Sequence, residues 1–320
     1  MLIPRKKCCP SIKRKISIML SKIKAIVPEN LIFLAQKTPN IPAAIVCAHH
    51  SSSMESAKEA CKLGLINPKF IGKKESILKE ADLLNWSIKD YLIVERENDQ
   101  DSAKAAAELA KDNKIKVIIK GNLHTDILMR TYLKKEFKLI EGKRLSHIWH
   151  MTTNKASKPL FITDGALNVA PRIDVKMHIL NNVIEFAKKI NILKPRVAVL
   201  SGTEDPIDSM PSSMEAKEIM NRVQKENIDA FVHGPLAFDN AVSPEAAEIK
   251  KIQSEVAGKA DILLVPNVEA GNGLVKMMIY FMGACAAGVV VGGKVPVVIT
   301  SRADSAPARL ASIAAAIVAL

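Results

Sequence analysis

The chain has 320 residues, 48% hydrophobic and 25% charged, which is ordinary for a globular protein of one large or two smaller domains. That length buries a sizeable core, so folding requires neither disulfides nor a structural metal. Lysine and arginine number 46 against 33 acids, a net charge of +13. Residues 1–30 hold eight of the bases and a single acid, Glu29, and so carry +7; residues 31–320 carry the other +6. So thin a surplus over the body, with only 4% aromatics, argues against nucleic acid as a partner, because base stacking needs aromatic platforms. Residues 1–30 read as a basic, loosely ordered arm.

Five cysteines (Cys8, Cys9, Cys47, Cys61 and Cys285) are odd in number, and no CxxC occurs. That pattern suits a reducing cytoplasm. Residues 16–20 are too short an apolar run for a signal peptide. The stretch 277–293 is uncharged and at the short limit for a membrane span. It divides into a helix-like half and a valine run, so a buried helix, a turn and a strand are expected, with no membrane partner.

In chain order, β-branched runs predict strands at 43–48, 70–72, 91–95, 116–120, 146–151, 160–163, 197–201, 231–234, 262–266, 289–292 and 295–301. Amphipathic stretches predict helices near 55–63, 102–112, 126–135, 174–189, 213–225, 244–257, 274–286 and 306–318. Uninterrupted apolar strands fit a largely parallel sheet buried on both faces. The alternation predicts a doubly wound α/β fold, with ligands outside the carboxyl ends of the strands. Polar residues at 152–159 mark the best domain boundary.

Nucleotide and metal motifs are absent. The segment GVVVGGKV (288–295) is one residue short of a P-loop, has Val295 where a magnesium-binding hydroxyl belongs, and runs into a strand. It reads as a tight turn. His147 and His150 point to opposite faces of a strand, His49 and His50 are adjacent, and HExxH does not occur, so no metal is expected. No GxSxG signals an acyl-serine enzyme.

Five strand-end segments combine Gly, small polar residues and charge: KGNLHTD (120–126), TDGALNVAP (163–171), GPLAFDNA (234–241), PNVEAGN (266–272) and SRADS (301–305). Turn and capping chemistry explains any one of them. Together they suggest a polar cleft. SRADS is the sharpest. Arg302 could grip a phosphate bidentately, Ser301 could bond a thiol or oxyanion, and helix amides after Asp304 could add to an anion site. Asp304 as a plain helix cap and Arg302 as a surface charge remain open on residue chemistry alone.

KGNLHTD, RLSHIWHM, KPLFITDGALNVAP, GPLAFDNA, DILLVPNVEAGN and VPVVITSRADS, in this order and spacing, resemble the phosphate acetyltransferase/phosphate butyryltransferase family, closer to the butyryl branch. The resemblance covers about residues 40–320. It implies two three-layer α/β/α domains with a cleft between them, like isocitrate and isopropylmalate dehydrogenases. The first domain would be 1–153 plus 293–320, and the second 154–292. It implies reversible transfer of a short acyl group between coenzyme A and orthophosphate, by direct thiolate attack in a ternary complex. Acyl-CoA, phosphate and acyl phosphate would be the small-molecule partners, coenzyme A a substrate, with no permanently bound cofactor and an assembly of dimers or larger.

Carried over residue by residue, Ser301 would orient the thiol and Arg302 would bind the phosphoryl group. Lys120, His124 and Thr125 match the family's Gly-x-x-His segment, Arg130 lies near a phosphate-binding arginine, and Arg144 is a second candidate contact. Asp239 and Asn240 match a cleft-facing Phe-Asp-Asn-Ala segment; Glu269, Gly271 and Asn272 match a Gly-Asn loop implied to hold coenzyme A. Two positions depart from the pattern. Asn267 stands where the family usually has Asp. Ala308 stands where the acetyl branch has a candidate base, leaving Asp304 as the nearest substitute.

Three alternatives compete. An NAD(P)-dependent hydroxy-acid dehydrogenase of the same fold would need an aspartate cluster, which is missing. A non-enzymatic binder could use the basic arm. A diverged, non-catalytic relative is kept open by Asn267. Met277, Met278 and Phe281 are candidates to line an acyl pocket, but their helical spacing equally fits core.

Overall fold

In the computed structural model, residues 21–140, 142–154, 158–300 and 304–320 are described. Their apolar runs form one eleven-stranded sheet. The elements, in chain order, are α1 (Glu29–Gln36), β1 (Ile41–Val46), α2 (Ser51–Lys62), β2 (Ile66–Gly72), α3 (Lys74–Leu83), β3 (Ile93–Glu95), α4 (Asp99–Lys111), β4 (Val117–Lys120) and α5 (Thr125–Tyr132). Then come β5 (Ser146–Thr152), β6 (Leu160–Thr163), α6 (Ile173–Lys189), β7 (Arg196–Leu200), α7 (Pro211–Lys225), β8 (Phe231–Leu236), α8 (Phe238–Val242) and α9 (Pro244–Ile249). The chain closes with β9 (Ile262–Leu264), α10 (Val268–Met282), β10 (Cys285–Val291), β11 (Val297–Val298) and α11 (Ala306–Val318).

Sheet order is β3-β2-β1-β4-β11-β10-β5-β6-β9-β7-β8. Strands β1 to β4 and β11 are mutually parallel. So are β6, β9, β7 and β8. Between the blocks, β10 is antiparallel to β11 and β5, and β5 is antiparallel to β6. The two parallel blocks therefore run in opposite directions. The carboxyl ends of β1, β4 and β11 lie at one end of the sheet; those of β6, β7, β8 and β9 lie at the other.

Helices cover both faces. On one, α1, α2, α6 and α11 pack over Ile45, Ile148, Phe161 and Val289. On the other, the core is divided: Tyr132, Val290 and Val297 belong to one cluster, and Ile162, Val275 and Ala286 to another. His147 and His150 do face opposite sides. The His147 ring lies 4.4 Å from Trp149, and the His150 ring 5.2 Å from Phe161.

Three helices, α1, α3 and α8, were not anticipated. The helix expected over 244–257 stops at Ile249, where the chain turns through Lys251 at a φ of +54°. The helix expected over 274–286 instead runs Val268–Met282, and Gly283 (φ +64°) ends it so that β10 begins at Cys285. Glu269, Gly271 and Asn272 therefore sit in helical turns rather than on a loop. Asn267 explains the earlier start: its side chain accepts the Ala270 N–H at 2.9 Å and caps α10. Residues 21–28 have no regular secondary structure, and α1 already occupies the end of the expected arm. The uncharged stretch 277–293 divides at Gly283, and among the described residues no helix is long and apolar enough to cross a membrane.

Candidate active site

Strands β1 and β4 end side by side. The Gly121 N–H donates to Val46 O at 2.8 Å and the Asn122 N–H to Cys47 O at 2.9 Å. A Cβ at residue 121 would lie 2.5 Å from both of those oxygens, so only glycine permits this closure. The turn brings Lys120, only 9% exposed, into one recess with the start of α2. There the chain leaves β1 through His49 and His50. The Nδ1 of His50 accepts the Ser52 N–H at 3.3 Å and caps the helix, and Ser53 Oγ donates to His50 O at 2.9 Å.

The third wall comes from the C-terminal segment. Thr300, just past β11, and Arg309, in α11, line the same recess. Ser305 caps α11 through the Ala308 N–H, with Pro307 in the first turn, so the helix starts directly beside the strand ends. Arg309 is 9% exposed; its Nε donates to Ser56 Oγ at 3.0 Å and its terminal nitrogen to Asp304 O. It thereby ties the loop entering α11 to the first turns of α2. The recess holds about 20 Å³, room for one water-sized oxygen, with two basic side chains and the positive end of a helix dipole around it. Those are the requirements for seating one oxygen of a phosphoryl group.

The expected site residues divide between the two ends of the sheet. Ser301 and Arg302 lie outside the described residues; Asp304 follows them and borders a neighbouring cavity with Ser305 and Ala308. His124 precedes α5 and Thr125 begins it, both exposed one short turn past Lys120. Arg130 is exposed near the far end of α5. Arg144 precedes β5, and the row His147–Val290–Val297–Ile118 puts it at the opposite end of the sheet from Lys120. Asp239 and Asn240 follow β8 and Glu269, Gly271 and Asn272 follow β9, also at that far end.

There the residues have clear packing roles. Asn240 is buried and points its amide at Glu204, 3.5 Å away. Gly271 lies backbone to backbone with Gly165, and Asn272 donates to Gly165 O at 3.4 Å. Asn267 keeps the capping role that the usual Asp would have. Asn267→Asp should therefore shift stability by no more than a few tenths of a kcal/mol, and Asn267→Ala should cost about 1 kcal/mol in denaturant unfolding.

His50, Ser52, Ser53 and Arg309 were missed in the sequence. Only the Ser-rich start of a helix after a strand hinted at the first three.

Cys47 borders this region but is no nucleophile. Burial pushes its thiol up to about 12, against a smaller downward pull from Lys120. Burial does the same to Cys61 and Cys285. None of these three is a thiolate at neutral pH, which leaves acyl capture on them without a nucleophile. Among the described residues, no group of three or more His, Cys, Asp or Glu is placed to hold a metal ion.

A mostly parallel sheet with helices on both faces and a basic recess at its strand ends defines an α/β protein. The family described as Phosphate acetyl/butaryl transferase matches residues 91–317, and the chain belongs to that family. It is 38% identical over 285 residues to a phosphate acetyltransferase of Rickettsia felis, covering 88% of this chain and 82% of that one. It is 37% identical over 274 residues to a phosphate butyryltransferase of Clostridium acetobutylicum, covering 85% and 91%. The crystal structure of a branched-chain phosphotransacylase from Enterococcus faecalis superposes with a TM-score of 0.78 at 31% identity, covering 87% and 98%. A putative 4-hydroxythreonine-4-phosphate dehydrogenase from Salmonella typhimurium shares the fold alone, with a TM-score of 0.53 at 13% identity over 88% and 99%. The expected dehydrogenase-like α/β architecture is thus present. The expected closeness to the butyryl branch is not: the acetyl and butyryl relatives match almost equally.

Proposed function

We propose that the carboxyl ends of β1, β4 and β11 form the site at which this phosphate acyltransferase exchanges a short acyl group between coenzyme A and orthophosphate. The convergence of Lys120, Arg309 and the α2 N-terminus in one recess, with Arg309 bonded to Asp304, carries this reading. In the forward direction the coenzyme A thiolate attacks the carbonyl carbon of the acyl phosphate. The carbon–sulfur bond forms, the carbon–oxygen bond to phosphate breaks, and orthophosphate leaves with the electron pair.

Lys120, Arg302 and the α2 amides offset charge on the phosphoryl oxygens as it grows. Arg309 fixes the geometry between α2 and the entry to α11. Ser301 orients the sulfur. Asp304 or the departing phosphate takes the thiol proton. His124 and Thr125 border the phosphate end. Arg130 and Arg144, and Asp239 with Asn240, lie away from the recess and take no part in phosphate binding in this reading. Glu269 and Asn272 lie at the same far end and take no part in this reading, and Gly271 serves packing.

The reading divides the chain into 1–153 with 293–320 and 154–292. The parallel block of β1 to β4 with β11 supports the first unit and the block of β6 to β9 the second, with the antiparallel pair β10 and β5 crossing over between them. A reducing, cytoplasmic setting and a dimeric or larger assembly complete it.

A thiol-release assay with acetyl-, propionyl- and butyryl-CoA, with and without phosphate, tests the function. Phosphate-dependent release that falls on the order of 100-fold or more in Arg302→Ala is the expected result. Absence of phosphate-dependent release from every acyl-CoA would refute it. The ranking of acyl chains in the same assay decides between the acetyl and butyryl branches.

A further inference from the structure

Next to the recess, a cavity of about 190 Å³ opens between α10 and the start of α11. Lys276 from α10, and Asp304 and Ser305 at the start of α11, are its polar lining residues. The rest of the lining is apolar: Ile23, Ala25, Ile279, Tyr280, Ala284, Ala286 and Ala308. Lys276, Ile279, Tyr280 and Gly283 are spaced i, i+3, i+4 and i+7, so a single stripe of α10 faces the cavity. Met277 and Phe281 point elsewhere, 45% and 53% exposed, and Met278 packs into the adjoining core.

A second wall is the segment that leads into α1, which packs on the end of α10. It is fixed in place. The Ser21 N–H donates to Tyr280 O at 2.7 Å. The Ile23 carbonyl lies 2.5 Å from where a Cβ on residue 283 would be, so the left-handed Gly283 both ends α10 and admits this segment.

We propose that this cavity receives the acyl chain of the substrate and that Ile23 and Ala25 set the chain length it accepts. The inference rests on the reading that Asp304 flanks the reacting centre. The cavity has the lining such a chain needs: a few polar groups, Asp304 among them, for the carbonyl end, and an apolar remainder for methylenes and methyl branches. The chain-length limit then comes from a segment outside both α/β layers.

Two variants test it. Ala25→Leu fills the cavity from its outer wall. It should lower kcat/KM for butyryl-CoA at least about tenfold more than for acetyl-CoA, since one methylene gained or lost in an apolar pocket changes discrimination by about 10- to 200-fold. Ile23→Ala opens the same wall and should move the ratio the other way, toward butyryl- and isobutyryl-CoA. Thermal unfolding of both variants checks that they fold. Equilibrium binding of acetyl- and butyryl-CoA reads the same ratio without turnover. A ratio that moves in binding supports the pocket even where no phosphate-dependent thiol release occurs, a result that would count against the enzymatic reading alone. A ratio unmoved by either folded variant, in kinetics and in binding, overturns the proposal.

Discussion

Lys120→Met is expected to lower kcat/KM for phosphate about 10- to 100-fold while leaving the melting temperature nearly unchanged. Lys120 ends β4 with its side chain 9% exposed, in the recess shared with the α2 N-terminus and Arg309. A hydrogen bond to a charged group contributes about 1.5–3 kcal/mol, and each 1.4 kcal/mol is a factor of ten. Methionine keeps most of the aliphatic stem, so packing changes little and the loss reports the charge. Removing a buried cation also relieves its desolvation, which offsets part of the lost contacts in the unliganded protein. The measurement is steady-state kinetics with phosphate varied at saturating acyl-CoA. Lys120→Arg should recover part of the loss, and KM for acyl-CoA should move less than about threefold. Unchanged phosphate kinetics in the methionine variant would make Lys120 a structural residue and move the phosphate site elsewhere.

The legible part of this site was the part where local chemistry and tertiary position agree. The apolar run of β4 stops at Lys120-Gly121-Asn122, and such a stop marks a strand end wherever it occurs. Helix α11 occupies the expected residues, but its cap is Ser305 rather than the expected Asp304. Arg309 was not legible. In sequence it is one arginine in an alanine-rich helix, and only packing α11 against α2 shows that it joins Ser56 to Asp304. The start of α2 was hidden by reading His49 and His50 as a failed metal pair, when His50 is a helix cap.

The largest gap is directional. A list of strands does not say which way each runs. The reversal at β10 and β5 sends the segments after β6, β8 and β9 to the end of the sheet opposite Lys120. Five similar strand-end segments therefore did not make one cleft. The boundary between α10 and β10 was blurred for a simpler reason: residues 277–293 hold no charge to punctuate them, and Gly283 alone separates helix from strand.

Gly121→Ala should be the most damaging single methyl group in the recess. The new Cβ would lie 2.5 Å from the carbonyl oxygens of Val46 and Cys47, both of which accept hydrogen bonds from the turn itself. Relief requires β1 and β4 to part, which breaks one or both of those bonds. Overpacking costs about 1–3 kcal/mol, and each buried group left unpaired a further 1–3 kcal/mol. A total near 3 kcal/mol lowers the melting temperature by roughly 4–5 °C in a chain of this size. It also displaces Lys120 from the α2 N-terminus, so phosphate-dependent turnover should fall by on the order of 100-fold at temperatures where the variant remains folded. Gly271→Ala is the control. Its Cβ would lie 2.7 Å from Gly165 Cα and 2.9 Å from Val265 Cγ2, a comparable strain at the far end of the sheet. It should lower the melting temperature by a similar amount while kcat/KM for phosphate, at saturating acyl-CoA, stays within about threefold. Equal losses of phosphate turnover in the two variants would mean that activity follows stability alone, and would remove the recess from the site.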